Sequence, residues 1–229
     1  MATKHDPLAD VSRETRRRLE VFVETLERWQ KAINLVGRNT MDGVWKRHIL
    51  DSAQVVPLIP ATAETLADLG SGGGFPGLVI AAMRPDLRVT LIESDARKAA
   101  FLGEVGRRMG LENQPKIAIS RIEAAPPAAA DVVTARALAP LRQLLHWAQR
   151  HRKDTAICLF HKGKGWQTEV EEAKKEFPTY LDLHEKVITR TCTPFQNVCH
   201  NNKEYPDLRT PQAMLGMLGS PCNLDVEDP

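Results

Sequence analysis

The chain has 229 residues, 42% hydrophobic and 26% charged, enough for one substantial α/β domain with an appendage and too few for two full domains. A formal net charge of +2 gives no global bias toward nucleic acid, and no apolar run is long enough for a membrane span or a secretory leader. A cytoplasmic monomer is expected. Cys158, Cys192, Cys199 and Cys222 form no CxxC pair, and even with His200 their spacing matches no common zinc pattern, so free thiols and no metal are expected.

In chain order, residues 9–36 read as one amphipathic helix, with Leu19, Phe22, Leu26, Trp29 and Ile33 at three- or four-residue spacing. A second helix is expected over 41–58, stopped by Pro57 and Pro60. From there strands and helices alternate. Strands are predicted at 65–69, 88–92, 116–119, 131–134 and 155–160, and helices at 75–83, 96–109, 141–150 and 168–177. Such alternation implies a Rossmann-like, doubly wound, mostly parallel sheet. The division expected is a helical extension over 1–60, an α/β domain over 61–190 and an atypical tail over 191–229. Ligands on such sheets bind beyond the carboxyl ends of the strands, where strand order reverses.

Charge is uneven along the chain. Residues 132–164 carry seven Arg or Lys against the single acid Asp154. That local excess can attract phosphates, or it can be a solvated face.

The segment Asp68-Leu69-Gly70-Ser71-Gly72-Gly73-Gly74-Phe75-Pro76-Gly77 sits where the first strand turns into its helix. Glycines there let the backbone turn tightly and approach a ligand closely. Gly72, Gly74 and Gly77 satisfy the dinucleotide pattern G-x-G-x-x-G, with Glu93 about twenty residues on to bind a ribose. Asp68, two residues before Gly70, favours S-adenosyl-L-methionine instead, because an acid attracts the methionine ammonium and repels a pyrophosphate. A purely structural turn is the third reading.

Beyond this loop the sequence resembles the bacterial 16S rRNA guanine-N7 methyltransferase family, RsmG or GidB. The resemblance rests on Trp29-Gln30-Lys31-Ala32-Ile33-Asn34-Leu35, Arg47-His48-Ile49-Leu50-Asp51-Ser52 and the loop ending Phe75-Pro76-Gly77. It continues through Arg97-Lys98, Phe101-Leu102, Ser120-Arg121-Ile122-Glu123, Ala135-Arg136-Ala137 and Lys162-Gly163, spanning well over half the chain. It implies an S-adenosylmethionine-dependent methyltransferase fold, with 16S rRNA or the small ribosomal subunit as partner and guanine 527 of the 530 loop as target. It further implies that Gly70 and Phe75 line the cofactor site, Ile122 and Glu123 flank the adenine, and Arg136 lies at the active-site mouth.

The chemistry fits that resemblance. Guanine N7 has a lone pair and no proton, so transfer needs alignment more than a general base. The chain lacks an N-P-P-Y-like motif and a Pro-Cys nucleophile. The expected cofactor set is Asp68, Gly70, Gly72, Phe75, Glu93, Ile122, Glu123 and Arg136. Arg136 and Lys162 are expected to hold O6 or a phosphate beside the reacting guanine. Arg47, His48, Arg97, Lys98, Lys162 and Lys164 are expected on the RNA side. Each has a plainer reading: His48 and Asp51 can pair within their helix, Ile122 can be core, and Trp29 and Trp45 suit core anchors better than stacking platforms. The competing functions are an NAD-dependent oxidoreductase and a non-catalytic RNA-binding protein on the same fold. His161 stands where the family more often has an apolar residue, and from about residue 191 the prolines and cysteines follow no family pattern.

Overall fold

The computed structural model describes Leu8 and residues 11–177. The expected tail and three of the four cysteines lie outside the described residues.

Helix α1 (Arg13–Gln30) starts at Ser12, whose hydroxyl accepts the Thr15 amide at 3.0 Å, and buries Leu19, Phe22 and Leu26 along one stripe. Residues 41–58 are not one helix. A 3-10 turn (Arg38–Gly43) leads into a π-helical turn (Trp45–Leu50), a short α-helical piece α2 (Asp51–Ala53) and a 3-10 turn (Val56–Leu58). The 3-10, α and π turns repeat at different residue spacings, so a pattern read at one α-helical period over 41–58 does not show the changes between them.

Five strands follow: β1 (Thr65–Leu69), β2 (Arg88–Glu93), β3 (Lys116–Ile119), β4 (Ala130–Arg136) and β5 (Arg152–His161). Between and after them run α3 (Gly77–Met83), α4 (Ala96–Met109), α5 (Leu141–His151) and α6 (Trp166–Lys174). The sheet is parallel throughout, in the order β3-β2-β1-β4-β5. The chain builds outward from β1 to β3, then crosses back to place β4 on the other side of β1. The β1/β4 seam is therefore the switch point of a doubly wound sheet.

Alternate strand residues feed two cores. Leu66, Val89, Leu91 and Val132 pack with α1, α3 and α4, while Ala67, Leu69, Val133 and Ala135 pack with α5 and α6. The N-terminal helix is fixed on the first core by aromatic contacts. Phe22 stacks on Phe75 at 4.9 Å between centroids, and Trp29 meets Phe101 edge-on while donating its indole N–H to Glu104 at 3.1 Å. Trp29 is thus a core anchor. Cys158, buried in β5, is a free thiol whose pKa burial pushes up to about 12. No helix among the described residues is long and apolar enough to cross a membrane.

Candidate active site

A cavity of about 480 Å³ opens at the carboxyl ends of the strands, over the β1/β4 seam. Gly70, Gly72, Phe75, Glu93, Ile122 and Glu123 line it, with Arg136, His48 and Lys98. Nine of the residues singled out in the sequence therefore converge on one space.

The glycine loop shapes the floor. Gly70 and Gly72 take φ values of +63° and +52°, a region where a side chain is strained. A Cβ on Gly70 would sit 2.6 Å from Leu138, whereas one on Gly72 would meet only the Gly70 carbonyl, at 3.7 Å. Glu93, at the end of β2, ties the loop down: Oε2 accepts the Gly72 amide and Oε1 the Asp95 amide, both at 2.8 Å. Each carboxylate oxygen keeps a lone pair for a further donor. The Ser71 and Gly74 amides are bonded to the Ile92 and Ser71 carbonyls. A loop whose amides are spent in this way is a poor pyrophosphate cradle and a fair seat for a ligand offering hydroxyls and an amine.

Asp68 lies beneath this loop, 1% exposed and outside the cavity lining, so of the two expected holds on a ligand's ammonium, direct or through water, the direct one does not fit its position. Its Oδ1 accepts the Thr134 hydroxyl at 2.8 Å across paired strands, and its Oδ2 lies close under Gly77. Burial pushes its pKa up to about 6, opposed by the Thr134 and Ser71 hydroxyls and the Gly77 amide.

Arg136, the last residue of β4, is held on three sides. Nη1 donates to the Asp51 carboxylate at 2.8 Å and to the Arg47 carbonyl at 3.2 Å; Nη2 donates to His48 Nδ1 at 2.6 Å. The guanidinium carbon lies 5.0 Å from the centre of the Phe75 ring, on which His48 also stacks at 5.0 Å. Arg cannot accept, so Nδ1 is the bare nitrogen and Nε2 carries the proton toward Thr40 Oγ1 at 2.9 Å; that hydroxyl in turn donates to the Gly37 carbonyl. Burial, then the Arg136 and Arg47 charges, lowers the His48 pKa to about 4. The π-helical turn and the first residue of α2 together bring the Arg47 carbonyl, His48 and Asp51 to one guanidinium.

Several expected residues fall elsewhere. Lys162 is 8% exposed; its ammonium pairs with Glu169 at 2.6 Å and donates to the Ala139 carbonyl at 2.8 Å, so it pins the loop after β4 and does not line the cavity. Lys164 and Arg97 are exposed outside the lining, and Arg97 pairs with Asp95. Arg47 contributes its carbonyl, while its side chain lies over Gly43. The basic stretch 132–164 is not one rim. β5 is ten residues long, so Arg152 and Lys153 at its start lie roughly 30 Å from Lys162. Arg142 pairs with Glu176 and Lys153 with Asp131.

Other lining residues carry no site role in the reading of the sequence. Arg121, Ser120, Leu138 and Trp147 edge the cavity, and so do Leu35 and Val36. Gln30 clasps that last pair, accepting both their amides on Oε1 and donating to the Val36 carbonyl at 2.8 Å. A polar residue closing an amphipathic helix, five and six residues before its partners, is the available signal.

Comparison with known proteins bears directly on this site. The profile of GidB, rRNA small subunit methyltransferase G, matches residues 15–197. The chain belongs to the rRNA small subunit methyltransferase G family. A ribosomal RNA small subunit methyltransferase G of Paramagnetospirillum magneticum is 52% identical over 168 residues, covering 73% of this chain and 80% of that protein. One from Gluconobacter oxydans is 49% identical over 170 residues, covering 74% and 86%. The cavity lies within the matched region.

Proposed function

We propose that this protein transfers the methyl group of S-adenosylmethionine to N7 of a guanine in small-subunit ribosomal RNA, the guanine at position 527 in the 530 loop of 16S rRNA. The supporting observation is the convergence of the glycine loop, Glu93, Ile122–Glu123 and Arg136 on one cavity at the switch point, in a chain of this family. The cofactor, when bound, supplies an electrophilic sulfonium methyl. Gly72 leaves room for it, Gly70 keeps the loop clear of Leu138, Glu93 offers lone pairs to ribose hydroxyls, and Ile122 supplies an apolar wall for the adenine.

The chain's own groups then align more than they titrate. His48 is neutral at pH 7 and bonded through both ring nitrogens, so it has no nitrogen available as a base. That suits a nucleophile without a proton to lose. Arg136 is oriented by three protein acceptors and retains donors for a guanine oxygen or phosphate. Lys98 and Arg121 sit where an RNA backbone would meet the cavity edge. Action on ribosomal RNA supports a cytosolic location.

Purified protein, given 16S rRNA, small subunits or tRNA with labelled S-adenosylmethionine, should label a small-subunit guanine at N7, mapped by cleavage at that base. Preferential labelling of tRNA or protein would overturn the substrate. Stabilisation by NAD but not by S-adenosylhomocysteine in a thermal shift would overturn the cofactor.

A further inference from the structure

Ile122 sits in the turn that follows β3, 9% exposed, with its side chain between the cavity and the second core. Loop carbonyls beside a cavity have no ladder to satisfy them and need another partner. The Ile122 carbonyl finds one on a different element: His151 Nε2, at the last position of α5, approaches it at 2.9 Å. His151 is fully buried and does not line the cavity. The carbonyl only accepts, so Nε2 carries the proton and Nδ1 is bare, with no partner among the described residues. Burial, the largest cause, lowers the His151 pKa, which keeps the ring neutral at pH 7.

A second strap lies beside it. Arg150 Nε donates to the Ala125 carbonyl at 2.9 Å, at the far end of the same turn. One helical turn earlier, Trp147 presents its indole to the cavity. The C-terminal turn of α5 thus touches the purine side of the cavity directly through Trp147 and holds its wall through Arg150 and His151.

We infer that His151 is a positioning residue for the purine pocket, setting the distance of the Ile122 wall and with it the preference for adenine over other bases. The inference rests on the cofactor reading above. A rigid buried ring fixes that wall more tightly than a water would, because the ring is itself packed at the helix end.

The test is calorimetry with S-adenosylhomocysteine and S-inosylhomocysteine on the whole protein, alongside steady-state kinetics. His151→Leu removes the donor and should weaken S-adenosylhomocysteine roughly tenfold, narrowing its advantage over the inosine analogue. KM for S-adenosylmethionine should rise with kcat at saturation little changed. His151→Gln places an amide nitrogen near the position of Nε2 and should recover affinity to within about threefold of wild type. Wild-type affinity and base preference in His151→Leu would overturn the inference, and so would a Gln variant as weak as the Leu one. If His151→Leu does not fold, Arg150→Ala decides: weaker binding with unchanged melting supports the strap, and unchanged binding refutes it. A wild-type protein that binds neither ligand would instead sink the cofactor reading, a result distinct from any variant-specific outcome.

Discussion

Arg136 Nη2 donates to His48 Nδ1 at 2.6 Å, and this bond exists only while the imidazole is neutral. The folded pKa of His48 is about 4, against an ordinary value of 6.5. The unfolded chain therefore takes up this proton first as pH falls. His48 contributes its full stability above about pH 6.5 and loses it progressively down to about pH 4. The melting temperature of wild type should fall more steeply between pH 6.5 and 4.5 than that of His48→Gln, which has no titrating group there. Parallel curves would show that the residue is not buried neutral.

Asp68 has the opposite slope. Its folded pKa of about 6 exceeds the ordinary 3.8, so its relative stability is greatest below pH 3.8 and is lost as pH rises through 6. Asp68→Asn removes the cost of a buried charge and should stabilise the protein at pH 7.5 by about 1–3 kcal/mol. The gain should vanish near pH 4, where the wild-type carboxyl is protonated as well. Thermal melts at the two pH values check this; a variant less stable at pH 7.5 would contradict it.

Gly72 faces open cavity with φ +52°. Gly72→Val forces a β-branched residue into that conformation and projects it into the ligand space, so calorimetry should show S-adenosylhomocysteine binding falling by roughly a hundredfold or more. Circular dichroism should show the fold retained. Undiminished binding would place the ligand elsewhere.

Lys162→Ala should cost roughly 1–3 kcal/mol in urea unfolding, because it strips the Ala139 carbonyl of a donor and leaves Glu169 without its counter-ion. Methyl transfer should fall less than in Arg136→Ala, since Lys162 is off the cavity. Loss of transfer equal to that of Arg136→Ala, with stability unchanged, would return Lys162 to the reacting centre.

Lys98→Ala and Arg121→Ala should weaken RNA binding across sequences and lower the slope of log affinity against log salt by about one each. Filter binding over a salt series reads this directly. An unchanged slope would remove these residues from the phosphate path.

The sequence was most legible where one physical rule dominates. β1 and β3 are short apolar runs ended by turn residues, and their bounds were read as the structure has them; Asp95 and Gly110 bracket α4 as N-cap and left-handed C-cap. The glycine loop and Glu93 were readable because close approach and a strand-end acid leave local marks. Lys162 was misplaced because a count of charges along the chain carries no direction, and its partner Glu169 lies beyond the basic stretch. The π-helical turn was missed for the same kind of reason: its purpose is to satisfy Arg136, some 85 residues away in the chain. His151 left no mark at all, since a buried histidine and its carbonyl partner share no motif.

The contact of His161 with the Asp51 carbonyl joins positions 110 residues apart, through a register that sets Arg136 beside His161. On a translating ribosome the Arg47–Asp51 segment emerges first and waits for β5, at ordinary synthesis rates roughly 5–20 s later. Until then Asp51 lacks its histidine, and until β4 follows it lacks its arginine as well. The Asp51 corner of the cavity is therefore completed only by the two strands that come last in the chain order of the sheet.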